Sequence, residues 1–163
     1  MNESPHILNI QIAADKGKPM ESRQSVNVLP TGIEGDRYAA GKGAFSTSPP
    51  PRNIDRHITL IQQEMLVAVN AENGIHITFA DTRRNLLTIG ISLNDLVGKK
   101  FRIGDVLVEG VELCEPCGRP GSLSTNEDAK KYFKDAFVQR GGLRVRVLGT
   151  GEMHRGDAIN VTE

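Results

Sequence analysis

Two cysteines, Cys114 and Cys117, are the whole cysteine complement of the chain, and they stand three residues apart in the run Cys114-Glu115-Pro116-Cys117-Gly118-Arg119-Pro120-Gly121. A thiol ligates metal or attacks as its thiolate, and that form is favoured beside a cation or a helix N-terminus. Arg119 provides the first, and the helix that the sequence places behind this loop provides the second. Four chemistries compete. A structural zinc site needs four ligands, whereas His6, His57, His76 and His154 are scattered without paired spacing. A thioredoxin-like redox pair wants its C-x-x-C opening a helix within a βαβ unit, but the surroundings read as β-rich with a longer gap to the helix. Two ordinary buried thiols are the bland alternative, for which a flank of Glu, Pro, Gly and Arg is poor core. The fourth is a cysteine that ligates a soft metal or carries sulfur.

Two other stretches set an arginine beside polar side chains. Arg83 and Asn85 stand in Thr82-Arg83-Arg84-Asn85-Leu86. Read alone, the same stretch is equally a solvated turn before the strand Leu86 to Ile89. Gly35-Asp36-Arg37 reads as a glycine-permitted turn with a local ion pair, and Asp36 and Arg37 are secondary candidates. His57, beside an apolar strand, has the chemistry of a proton shuttle but reads better as a hydrogen-bonding residue.

The elements that must position these groups are mostly short strands punctuated by 17 glycines, above average usage. Ile10 and Ile12 alternate with Asn9 and Gln11, Val26 with Val28, and Leu143, Val145 and Val147 with Arg144 and Arg146, each strand with one wet face. Gly104-Asp105 and Gly156-Asp157 fall between apolar runs and predict hairpins. Two segments break the rhythm. Gln62 to Asn73 places Met65, Leu66, Ala68 and Val69 on one face and stops at Gly74. From about Asn126 to Val138, behind a capping box read at Ser124-Thr125-Asn126-Glu127, Tyr132, Phe133 and Phe137 share a helical face that should point inward, and Gly141-Gly142 ends the run. Gly41 to Asn53 contains three consecutive prolines and predicts a surface loop able to cover a cleft. The cysteine loop follows the strand ending Val111-Glu112-Leu113.

Composition bounds the partners. Lys plus Arg number 20 and Asp plus Glu 20, so no net field draws the chain to nucleic acid or to an anionic membrane. With 4% aromatics and no Trp it lacks a base-stacking platform. Apolar residues at 38% and charged residues at 25% describe a globule, and 163 residues suit one domain. Without a signal-like N-terminus or a long apolar run, a cytoplasmic location is expected. The fold expectation is mainly β with two or three helices, closed as a β-barrel or a curled mixed sheet over residues 1–163.

Five blocks in order, Gly32-Ile33-Glu34-Gly35-Asp36-Arg37, Ile58-Thr59-Leu60-Ile61-Gln62-Gln63-Glu64, Thr82-Arg83-Arg84-Asn85-Leu86, Ile103-Gly104-Asp105 and Glu115-Pro116-Cys117, resemble a MOSC domain, named for the C-terminus of molybdenum cofactor sulfurase. The likeness runs from about Ile7 to Val161 and points to the short, stand-alone bacterial type. It implies a β-barrel like that of the pyruvate kinase barrel domain. It also implies binding of the molybdenum cofactor, an anionic pterin dithiolene with a phosphate, with Cys117 as the protein ligand to Mo and Arg83 and Asn85 in contact with the cofactor. Asp36, Arg37 and Arg119 join this expected site. Relatives often carry His where Tyr38 stands, and the amidoxime-reducing ones carry a further N-terminal domain.

Three functions follow from the resemblance. The first is a Mo-dependent reductase of N-hydroxylated or related N–O compounds, served by a separate electron-transfer partner. The second is a sulfur carrier in which Cys117 accepts persulfide sulfur from a cysteine desulfurase. The third is a non-enzymatic module that stores or delivers the cofactor. Pyridoxal phosphate, associated with the family, is assigned to the desulfurase partner, since no Schiff-base lysine context is present here.

Overall fold

The computed structural model describes residues 3–43, 49 and 56–162. The chain opens with strands β1 (His6–Ile12), β2 (Glu21–Arg23), β3 (Ser25–Leu29) and β4 (Gly32–Ile33). Strand β5 (Ile58–Gln62) runs directly into helix α1 (Gln63–Asn73), and the short helix α2 (Phe79–Thr82) leads to β6 (Leu86–Ile89). A 3₁₀ turn over Leu93–Leu96 precedes β7 (Lys100–Ile103) and β8 (Val106–Leu113), then come α3 (Gly118–Leu123) and α4 (Glu127–Ala136). Strands β9 (Leu143–Gly149), β10 (Gly151–His154) and β11 (Ile159–Val161) complete the described chain.

Eight strands form one mixed sheet in the order β11-β7-β8-β9-β5-β6-β1-β2, and β10-β3-β4 form a second, smaller sheet. β5 and β6 are parallel and are joined through α1 and α2, the long crossover that a parallel pair requires. β5 is buried at every position, so it reads as a continuous apolar run: Ile58 and Leu60 enter the core between the sheets, while Ile61 packs under the helices. There α4 lays down Phe133 and Phe137, stacked at 5.1 Å between ring centroids, against Leu66 and Val69 of α1.

Several expectations are corrected. The large sheet is not a closed barrel. Only the start of β1 meets the β11 end, through a bridge between His6 and Ala158 and hydrogen bonds from Ile7 N to Asp157 O and Ile159 N to Pro5 O. From Ile10 onward β1 pairs instead with β2, and β11 is too short to follow it. There are four helices among the described residues rather than two or three. Of these, α2 and α3 are a turn or two long, too short for a helical period to show in sequence.

The turn at Gly104-Asp105 does close a hairpin, with Gly104 at φ 58°, a backbone conformation that glycine adopts without steric cost. Gly156-Asp157 does not: β10 pairs with β3 and β11 with β7, so this turn carries the chain from one sheet to the other. Ser124 is not the cap of α4. It ends α3, and Asn126 caps α4 by accepting from Asp128 N. Gln11 does not lie on a wet face; it is buried and donates to the carbonyls of Phe79 and Arg84. Of the expected 41–53 loop, positions 44–48 and 50–53 lie outside the described residues. Among the described residues no helix is long and apolar enough to cross a membrane.

Candidate functional site

The stretch between α2 and β6 is built as a set of alternating clamps. Thr78 and Asp81 form a reciprocal capping box at the start of α2. The helix ends at Arg83, a non-glycine residue in the left-handed region at φ 58°. An L-residue keeps that conformation only where its surroundings hold it. They do so through its side chain, which donates to the carbonyls of Lys18 (2.8 Å) and Lys16 (3.2 Å), and through its own carbonyl, which accepts from Arg37 Nη2. Arg84 points the other way. Its guanidinium donates to Gly141 O at 2.7 Å, Cys114 O at 2.9 Å and Thr82 O at 3.1 Å, with the Phe133 ring 5.5 Å away. Asn85 is completely buried, its amide joining Thr59 on β5 to Gln11 on β1. The segment is therefore buried throughout and is not a solvated turn.

The cysteines are separated by burial. Cys114, just past the end of β8, is 1% exposed, and its backbone is fixed on both sides: its N–H donates to Gly142 O and its carbonyl accepts from Arg84. Gly141-Gly142 allows this approach, because a Cβ at Gly141 would strike Cys114 O and one at Gly142, whose φ is 106°, would strike Leu60 O. Only glycine has both the missing Cβ and the freedom for that φ. Cys117 is exposed and is the residue from which α3 begins, so the predicted gap between the motif and a helix does not exist.

Cys117, Arg83, Arg37 and Arg119, predicted from distant parts of the sequence, line one cleft, together with Lys16, Arg84 and Arg144. The space inside it, counted out to its open mouth, is about 530 Å³. No carboxylate lines it among the described residues. Asp36 and Asn85 lie behind the wall. Asp36 is fully buried, paired with Arg37 at 3.0 Å and accepting from Ala13 N, so it fixes Arg37 rather than facing a ligand. His57 accepts from Val147 N through Nδ1 and is part of the strand pairing.

The cations perturb one another. Burial, followed by Arg37 and Arg119, lowers the pKa of Arg83, with Tyr38 and Asp36 only partly offsetting them. Arg144 shifts upward: burial opposes this, but Cys114, Tyr38 and Glu112 outweigh it. Beside the cleft a second hollow of about 210 Å³ shares Arg83 and Pro120 and is otherwise walled by groups such as Met20, Asp81 and Leu123. Among the described residues no three His, Cys, Asp or Glu side chains converge as a metal cluster.

Sequence reasoning did not place Lys16, Tyr38, Arg84 or Arg144 in the site. Arg144 lies on β9 between the buried Leu143 and Val145, and a half-buried arginine in that alternation was the available signal. Tyr38 directly follows the Gly-Asp-Arg block. Nothing in the spacing of Lys16 marks it.

Fold and site together define a class: a small mixed-sheet protein in which an exposed cysteine opens a cleft rich in arginine and, among its described residues, without a carboxylate. The chain belongs to the MOSC domain family, whose model matches residues 32–160. In fold it is similar to the YuaD protein of Bacillus subtilis, with a TM-score of 0.81 and 17% identity over 99% of this chain and 97% of that one. It is also similar to YiiM of Geobacillus stearothermophilus (TM-score 0.65, 19% identity, 98% of this chain and 75% of that one). YiiM of Escherichia coli gives a TM-score of 0.61 at 17% identity, over 96% of this chain and 69% of that one. No curated protein matches the sequence.

Proposed function

We propose that this MOSC protein binds the molybdenum cofactor and, so loaded, reduces N-hydroxylated or related N–O compounds in the cytoplasm with electrons from a separate donor protein. One observation carries the reading: an exposed thiol, Cys117, at a cleft whose described lining has Lys16, Arg37, Arg83, Arg84, Arg119 and Arg144 and no carboxylate. Such a wall suits a polyanion, and a thiolate suits a soft metal. Arg84 is committed to three carbonyls, Arg83 to those of Lys18 and Lys16, Arg37 to Asp36 and Arg83 O, and Arg144 to Glu112, so the cations left to meet a phosphate directly are Arg119 and Lys16. Cys117 would ligate Mo, while Asp36 and Asn85 hold the wall behind. The bound cofactor would supply the two-electron change at the metal; the chain binds it, orients it and keeps the cations from relaxing toward solvent.

The test is elemental analysis of protein purified from a host that makes the cofactor. Near-stoichiometric Mo that disappears in Cys117→Ala supports the reading; a metal-free wild-type protein overturns it. Exposure of Cys117 favours one second reading, a sulfur carrier loaded by a cysteine desulfurase, because a large partner can reach the thiol. That reading predicts a metal-free protein that takes labelled sulfur on Cys117. Mo binding without turnover would identify a storage or delivery module.

A further inference from the structure

We infer that Tyr38 is the proton donor of this cleft and that Gly43 holds its ring in place. The inference rests on the reductase reading. Reducing an aryl amidoxime to the amidine and water breaks the N–O bond and consumes two electrons and two protons. The donor protein supplies the electrons; the departing oxygen takes one proton as the bond breaks, and the nitrogen takes the second from solvent.

Few lining groups have one to give. An arginine holds its proton far too tightly, Cys117 is taken up as the metal ligand of the reductase reading, and the Thr59 hydroxyl is engaged with Asn85, donating to Oδ1 and accepting from N. Lys16 is an exposed rim residue. Tyr38 is half-buried in the wall, which Arg144 also lines. A guanidinium has donors only, so no arginine of the wall can take the phenol proton. The Arg37 guanidinium sits 4.6 Å from the ring centroid, within the range of a cation–π contact. After proton transfer the Tyr38 oxygen would lie in a wall lined by cations, with Arg37 against its ring, until solvent reprotonates it.

The ring is also fixed sterically. A Cβ at Gly43 would overlap Tyr38 Cδ1 and lie 2.6 Å from Cε1. Gly43 therefore acts as a positioning residue: Gly43→Ala keeps the phenol but must displace the ring.

The experiment uses Mo-loaded wild-type, Tyr38→Phe and Gly43→Ala proteins of equal Mo content, an aryl amidoxime and a chemical electron donor. Tyr38→Phe should lower kcat by about a hundredfold, the lower range for loss of a general acid, with KM little changed and partial rescue by added imidazolium. A second readout needs no cofactor. The chain has 2 Tyr and no Trp, so in a Tyr132→Phe background the near-UV circular dichroism of tyrosine reports Tyr38 alone, and Gly43→Ala should change it. Wild-type turnover that survives Tyr38→Phe overturns the assignment while leaving the reductase reading intact. An unchanged tyrosine spectrum in Gly43→Ala removes Gly43 from it. A Mo-loaded wild type that reduces no N–O probe overturns the reductase reading, and the role of Tyr38 falls with it.

Discussion

Replacing Arg84 by alanine should destabilise the domain and loosen the cysteine loop in one step. Arg84 is 6% exposed and satisfies three carbonyl oxygens, those of Gly141, Cys114 and Thr82. Leaving a buried acceptor unpaired costs about 1–3 kcal/mol, and water entering the space vacated by the guanidinium would satisfy some of the three. Loss of the contact with Phe133 adds about 0.5–1 kcal/mol. The expected cost is therefore about 4 kcal/mol, a large share of the roughly 5–15 kcal/mol that stabilises a domain of this size. In urea unfolding, with a slope of about 2 kcal/mol per M, the midpoint should fall by about 2 M. Arg84→Lys, which keeps the charge but not the planar fork, should cost about half as much. The Cys114 carbonyl loses its partner in the alanine variant, so Cys114 should also alkylate faster there. A loss below about 1 kcal/mol with unchanged Cys114 reactivity would refute the idea that this guanidinium ties the loop to the sheet.

Phe133→Ala, at a position 1% exposed and stacked on Phe137, should cost roughly 3–5 kcal/mol by calorimetry, and a near-neutral result would mean that the α4 face does not pack as described. In metal-free protein near neutral pH Cys117 should alkylate well ahead of the buried Cys114, with mass spectrometry locating the label; equal rates would contradict the burial difference. Burial acts to raise the pKa of Asp81, but hydrogen bonds from Thr78, Ser124 and Asn126 outweigh it and the net shift is downward. A carboxylate with a depressed folded-state pKa stabilises fully above its unfolded value of about 4 and loses that contribution as pH falls through the folded value. Asp81→Asn should therefore flatten the acid limb of a stability-versus-pH curve below about pH 4, and an unaltered limb would remove Asp81 from it.

Much of the scaffold was readable from periodicity. The α1 and α4 faces, the Gly104 hairpin and the strand leading into the cysteine loop all follow from apolar spacing and turn chemistry, and the structure has them where that spacing puts them. The errors lie where long-range pairing decides. Gly156-Asp157 has the same local chemistry as Gly104-Asp105, but the partners of its flanking strands lie in different sheets, which no local pattern encodes. The same holds for the unclosed sheet, which depends on β1 dividing one edge between β2 and the β11 end. At the site, the family resemblance pointed to Arg83 and Asn85 without revealing which way each side chain faces. Arg83 reaches the cleft, while Asn85 ties strands together behind it. Tyr38 and Arg144 reach the cleft only because β9 and the turn after β4 are neighbours in space.

The seam at His6 and Ala158 gives the protein a graded resistance to opening. The β8–β9 ladder extends over most of both strands, whereas the edge of β1 meets the chain before β11 through one bridge and a few backbone bonds. Local opening starts where the fewest cooperative bonds must break, so the amides of Ile7 and Ile159 should exchange with solvent sooner than those of β9. Parting there would uncover Ile7, Ile10 and Ile159 of the core while leaving the Arg84 clamp and the cysteine loop, held by other strands of the sheet, in register. The chain can thus breathe at its terminal strands without disturbing the cleft.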